Sequence, residues 1–187
     1  MRKFFLFVWE IVKVASISLA IILPVRYFLI QPFYVKGASM EPNFHDHEYL
    51  IIDEISYRFN EPARGQVVVF RYPKDPQEYF IKRIIALPGE EVQIKDGKII
   101  IFNDANPSGL TLNETYLPDG LETMDVSGSK LKLGADEYFV LGDNRNNSKD
   151  SRSFGAVDKS FITGKVLFRG WPLSGITFFD NNYWPQY

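Results

Sequence analysis

Residues 4–30 form an almost unbroken run of Phe, Leu, Ile, Val, Ala and Ser behind Arg2 and Lys3. A stretch this long and apolar has few folded solutions. About 20 residues suffice to cross a hydrocarbon core, where a lone segment can satisfy its own backbone polar groups only as a helix. One spanning helix is predicted over residues 1–31. The charges within the apolar run are Glu10, Lys13 and Arg26, and each would cost about 2.5–3.5 kcal/mol at mid-membrane. A register centred on residues 17–23 moves all three toward the interfaces, with Glu10 and Lys13 paired at i+3 spacing. An amphipathic helix lying in the interface and a removable leader are the alternatives. The apolar run continues past Ala20 through Ile21, Ile22 and Leu23, which favours retention. Arg2 and Lys3 place the N-terminus in the cytoplasm. The rest of a single-pass chain in contact with membrane lipid then lies outside.

After Pro32 the pattern changes to short β-branched and aromatic runs punctuated by Pro, Gly, Asn and Asp, without helical periodicity. The expectation is a mostly β, antiparallel core, in two parts over residues 32–102 and 135–187. Residues 65–72 read as a strand, 73–76 as its turn and 78–87 as the partner. Residues 91–95 and 98–102 flank Asp96-Gly97, a dipeptide suited to a tight hairpin turn. Residues 103–134 hold few apolar side chains and read as a small β/loop excursion. Residues 137–141 and 165–168 are further core strands. The tail, residues 176–187, is rich in Phe, Tyr and Trp, suited to a membrane headgroup level or to ordinary core packing.

Composition removes several functions. With 21 Lys+Arg against 23 Asp+Glu there is no basic field for nucleic acid. With no cysteine there are no disulfides, thiolate chemistry or zinc-cysteine sites. The histidines, His45 and His47, flank Asp46 and precede Glu48. In an extended segment the carboxylates face away from the imidazoles, so a solvated turn is expected and neither metal nor cofactor is assigned.

Four segments concentrate reactive or turn-forming residues: GASMEP at 37–42, FIKRIIALPG at 80–89, NETYL at 113–117 and GDNRNNSKDSR at 142–152. Ser39 alone is weak, because G-x-S-x-E lacks the closing glycine of a nucleophile elbow. Ser127 to Lys130 fits S-x-x-K without its companion elements and is set aside. Lys82 says more. On a strand it shares a face with Phe80 and Ile84, opposite Arg83, Ile81 and Ile85, and apolar neighbours strip solvent from an amine. To act as a base it must drop about three pKa units. A lysine snorkelling from a strand edge is the plainer alternative.

In this order, behind an apolar anchor, the four segments resemble the type I signal peptidase family of serine proteases, and the resemblance covers nearly the whole chain. It implies a serine endopeptidase that removes signal peptides from secretory preproteins with small residues at the cleavage site, at the outer membrane face. It implies Ser39 as nucleophile and neutral Lys82 as general base, with Ser148 orienting the Lys82 amine. Asp143 would pair with Arg83, and Asp150 with Arg152, holding the loop that bears Ser148. The Ser39 N–H is the obvious oxyanion donor. Some family members add a serine hydroxyl two residues earlier, where this chain has Gly37. Met40, Phe80 and Ile81 are expected to line the substrate subsites, and the enzyme to act as a monomer. The nucleophile stands eight positions after Gln31, within roughly 26 Å of the apolar run. A membrane-anchored binding module and a protease of the self-cleaving repressor class are the competing readings.

Overall fold

The computed structural model describes residues 2–28, 30–124, 128–180 and 183–185, with side chains left aside at 24–30. Ser127, the serine of the discarded motif, and residues 181, 182, 186 and 187 of the aromatic tail fall outside the described set. Helix α1 (Arg2–Phe28) has 27 residues, roughly 40 Å at 1.5 Å per residue. Its stretch Arg2–Leu23 is long and apolar enough to cross a membrane, and none of it is buried against the rest of the chain. Lys13 Nζ donates to Glu10 Oε1 at 2.9 Å, so each charge partly neutralises the other.

Beyond α1 the chain is antiparallel β-structure in two sheets. The larger uses β1 (Ile30–Tyr34), β2 (Tyr49–Asp53), β3 (Val67–Tyr72), β4 (Asp75–Ala86), β9 (Glu137–Leu141), β10 (Val157–Asp158), β11 (Ile162–Trp171) and β12 (Thr177–Phe178). Its order is β1-β2-β11-β3-β4-β9-β10, with β12 on β11. The smaller orders β7 (Asn106–Thr111), β6 (Lys98–Asn103), β5 (Glu91–Lys95) and β8 (Leu131–Lys132).

Strand β3 is buried on both faces, and its alternation sorts the core. Val67 and Val69 join Met40, Leu50, Ile52 and Ile81 on one side. Val68 and Phe70 join Ile84, Tyr138 and Val140 on the other. A third cluster packs Ile85, Phe139 and Leu141 against Val92, Ile99 and Ile101 of the small sheet, binding the two sheets together by apolar burial.

Two local expectations are revised. The β3–β4 turn occupies Pro73 and Lys74 alone, with Asp75 already paired to Tyr72. Pro76 is tolerated inside β4 because the opposite edge is unpaired there, so its missing N–H costs no ladder bond. The small sheet begins at β5, ahead of the boundary expected at residue 103, because the β5–β6 hairpin is the platform on which β7 and β8 pair. Asp96 and Gly97 turn that hairpin with φ of +51° and +74°, as a type I′ turn requires. In the tail, Phe179 and Trp184 stack with centroids 5.6 Å apart and are buried, while Ile176, Phe178 and Tyr183 are exposed.

Candidate active site

Ser39 sits where the chain leaves β1. Gly37, at φ +83°, turns the backbone, and its N–H donates to Asp46 Oδ1 at 2.8 Å. Asp46 thereby serves the turn, between the exposed His45 and His47. Among the described residues no group of three or more His, Asp or Glu is placed to hold a metal ion. Glu48 departs from the solvated turn that was expected: it is buried, 3.1 Å from Arg169 Nε.

After Ser39 the chain coils, with Phe44 N–H donating to Met40 O at 2.9 Å, and drives Met40 and Phe44 into the core. Met40, expected to line a substrate subsite, is thus packed in the core and is not among the residues lining the cleft at Ser39. With Ser39 turned toward the cleft, its neighbour turns inward and pins the segment at 1% exposure.

Lys82 approaches from β4, paired with Val68 of β3. Its Nζ lies 2.7 Å from Ser39 Oγ and donates to the Ile81 carbonyl at 2.7 Å. The side chain is 4% exposed. Burial brings its pKa down from an ordinary 10.5 to about 8, against the opposing pull of the Asp150 and Asp143 carboxylates. Of the other two expected subsite residues, Phe80 and Ile81 both line the adjoining cleft.

The loop after β9 closes over this pair. A Cβ on Gly142 would stand 2.1 Å from Ser148 Oγ and 2.4 Å from Ser39 O, so only glycine lets the loop come this near Ser39. Asn144 fastens the contact, its N–H donating to Ser39 O at 3.1 Å and its Nδ2 to Ala38 O at 3.0 Å. Arg83 Nε and Nη2 donate to the two carboxylate oxygens of Asp143 at 2.8 and 2.5 Å, and Nη1 to Gly65 O at 2.8 Å. Arg152 donates to both oxygens of Asp150 at 2.9 and 2.8 Å. Asp150 also accepts from Gly142 N–H at 3.1 Å and from Arg152 N–H as the cap of α2 (Ser151–Phe154). Burial pushes the Asp150 carboxyl up, but Arg152, the Gly142 N–H and the Ser148 hydroxyl together hold it below its ordinary value.

Ser148 departs from its expected role. Its Oγ is buried without a hydrogen-bond partner, close enough to Asp150 to favour the charged carboxylate but outside the hydrogen bonds of Lys82. Its hydroxyl occupies the space that a Cβ on Gly142 would need, and the Ile81 carbonyl takes the bond from the Lys82 amine.

A cleft of about 550 Å³ runs beside Ser39 and Lys82, between Phe33 and Tyr34 of β1 and residues 77–82 of β4. Strand β1 pairs with β2 alone, and β4 meets β9 only from Arg83 onward. The cleft thus has strand segments with a free edge on either side.

The family model described as "Signal peptidase, peptidase S26" matches residues 8–171. The chain belongs to this signal peptidase family. Signal peptidase I of Leptolyngbya laminosa is 36% identical over 173 residues, covering 88% of this chain and 80% of that protein. Signal peptidase IB of Staphylococcus aureus strain Mu50 is 32% identical over 182 residues, covering 91% and 92%. A crystal structure of a signal peptidase I from Enterococcus faecalis V583 is similar over 57% of this chain and 97% of that one, at 29% identity and a TM-score of 0.46.

Several residues of this signal peptidase family member gained no role from the sequence. Arg145 is buried and bonds through Nη1 and Nη2 to Glu114, with further bonds to Thr123 and Tyr116 Oη. Those bonds explain the NETYL segment: it holds the loop after β9 from below. Asn43 Nδ2 bridges Asp143 Oδ2 and the Tyr116 carbonyl, each at 2.9 Å. The signal for Arg145 and Asn43 was a polar residue within four positions of each motif serine, too common a pattern to single out. Gly37 N–H is engaged by Asp46, whereas among the described residues the Ser39 N–H has no acceptor. It is available to a developing oxyanion.

Proposed function

We propose that Ser39 and Lys82 are the catalytic pair with which this signal peptidase family member, a serine endopeptidase, removes signal peptides from secretory preproteins. The observation that carries the reading is the 2.7 Å approach of a desolvated amine to the Ser39 hydroxyl. When neutral, Lys82 accepts the Ser39 proton as Oγ attacks the scissile carbonyl. The tetrahedral oxyanion takes the Ser39 N–H. Lys82 then gives its proton to the leaving amine, and the acyl group stays on Oγ. Water, deprotonated by the same amine, attacks the ester and frees Ser39.

Arg83, Asp143, Asp150 and Arg152 act as positioning residues, holding β4 and the loop of Gly142 at the right separation. Phe80 and Ile81 form shallow apolar contacts for the small side chains before the cut. Reach supports the substrate class. Ser39 follows the last residue of α1 by eleven positions, at most about 40 Å of chain, and five of those residues are folded into β1. Helix α1 spans the membrane with the N-terminus inside, and the β sheets work on the outer surface among the lipid headgroups.

The test is incubation with a precursor bearing an A-x-A site. Ser39→Ala and Lys82→Ala should each lower kcat at least about 10³-fold with an unchanged circular dichroism spectrum. Wild-type turnover by either variant refutes the assignment.

A further inference from the structure

The cleft holds more positive charge than the chemistry uses. Lys36, beyond the end of β1, and Lys149, beside Ser148, line it with Ser39 and Lys82; Glu78 is the carboxylate among its lining residues. Lys149 Nζ stands 4.3 Å from the centre of the Tyr72 ring and 5.8 Å from that of Phe80. Lys82 Nζ is 5.4 Å from the same Phe80 ring. Phe80 and Tyr72 are stacked, centroids 4.5 Å apart, so a fixed aromatic floor holds a second amine beside the reacting one. Among the described residues neither Lys36 nor Lys149 is in an ion pair. Glu78, two positions before Phe80 on β4, lies beyond ion-pair distance of both. Lys82 must be neutral to act, so the two outer amines are left as the cations that a bound peptide meets.

We propose that Lys149, assisted by Lys36, is a specificity-determining cation that selects substrates with an acidic side chain within a few residues of the scissile bond. This rests on the Ser39–Lys82 reading of the cleft and adds to it a preference in charge. The aromatic floor gives the ammonium a cation–π seat without neutralising it, and a carboxylate arriving on the peptide supplies the missing counter-ion. The expected discrimination is modest, about three- to fivefold, as for an ion pair in contact with solvent.

The test uses the full-length protein in detergent and A-x-A peptides carrying Glu, Gln or Lys at one position at a time on either side of the cut. In the wild type the Glu/Lys ratio of kcat/KM should be about three to five at one or two adjacent positions, shrinking in 0.5 M salt. Lys149→Gln should bring it near one, Lys149→Glu should invert it, and Lys149→Arg should keep it; Lys36→Gln should lower it partway. The ratio is taken within each variant, so an overall loss of rate cancels. A ratio unchanged in Lys149→Gln or Lys149→Glu overturns the proposal. So does a charge effect that appears only with vesicles of anionic phospholipid, which would assign the lysines to a headgroup. Absence of any cleavage of the Gln peptides by the wild type would instead sink the catalytic reading itself.

Discussion

The role proposed for Lys82 asks two things of it that oppose each other. A base must be neutral near working pH, yet a lysine in water stays charged to about pH 10. The fold resolves this by burial, and the cost falls on stability. Because the folded pKa is about 8 against an ordinary 10.5, the unfolded chain binds more protons than the folded one between these values, and stability rises with pH across that window. Below about pH 8 the full penalty applies, about 3 kcal/mol. Lys82→Met should therefore be inactive but more stable than the wild type at pH 7, by about 2 kcal/mol once its lost hydrogen bonds are deducted. The gain should vanish above about pH 10, as read from urea midpoints across pH. On the proposed mechanism the same proton governs turnover, so wild-type kcat/KM should fall about tenfold per pH unit below about 8. A flat profile, or a Met variant less stable than the wild type at pH 7, would contradict the account.

At the level of elements, the site depends on how β4 is tied to the loop after β9. Arg83 and Asp143 are 2% and 0% exposed, so Asp143→Ala would leave a guanidinium buried without its carboxylate, still bonded to the Gly65 carbonyl and lying over the Tyr116 ring. The expected loss is about 3–5 kcal/mol, whereas the double variant Arg83→Met/Asp143→Leu should recover most of it. Denaturant midpoints of the two variants decide the matter: equal losses would mean that the buried charge is not the cause. These elements were unequally legible in the sequence. The β5–β6 hairpin was readable because Asp96-Gly97 meets a local backbone demand. Strands β7 and β8 were not, since Asn106–Thr111 has no alternating apolar face and pairs only because β6 offers an edge. Ser39 and Lys82 were legible from the motifs that hold them. The closeness of Gly142 to Ser39, the clamp by Asn144 and the inward turn of Met40 were not. Each is a contact between segments about a hundred residues apart, or a choice of side made by the core.

For the whole molecule, the decisive arrangement is one apolar helix that the rest of the chain does not bury. On the reading proposed above, the bilayer is its partner and the two sheets lie on one side of it. The side is testable because the chain has no cysteine of its own. A cysteine in place of the exposed Asp104, in the β6–β7 turn, should react with a membrane-impermeant maleimide in intact cells. One in place of Lys3 should react only after permeabilisation. The reverse pattern would turn the topology over.

Strand β1 starts at Ile30, two positions past the last helical residue, and is laddered to β2 from Ile30 opposite Asp53 to Tyr34 opposite Tyr49. An enzyme that cuts just beyond a greasy N-terminal stretch has such a stretch itself, and would be its own nearest target. Here the bonds following that stretch are already stitched into a sheet. To reach the cleft they would first have to be peeled away from a neighbouring strand, so the architecture spares the protease from trimming off its own tether.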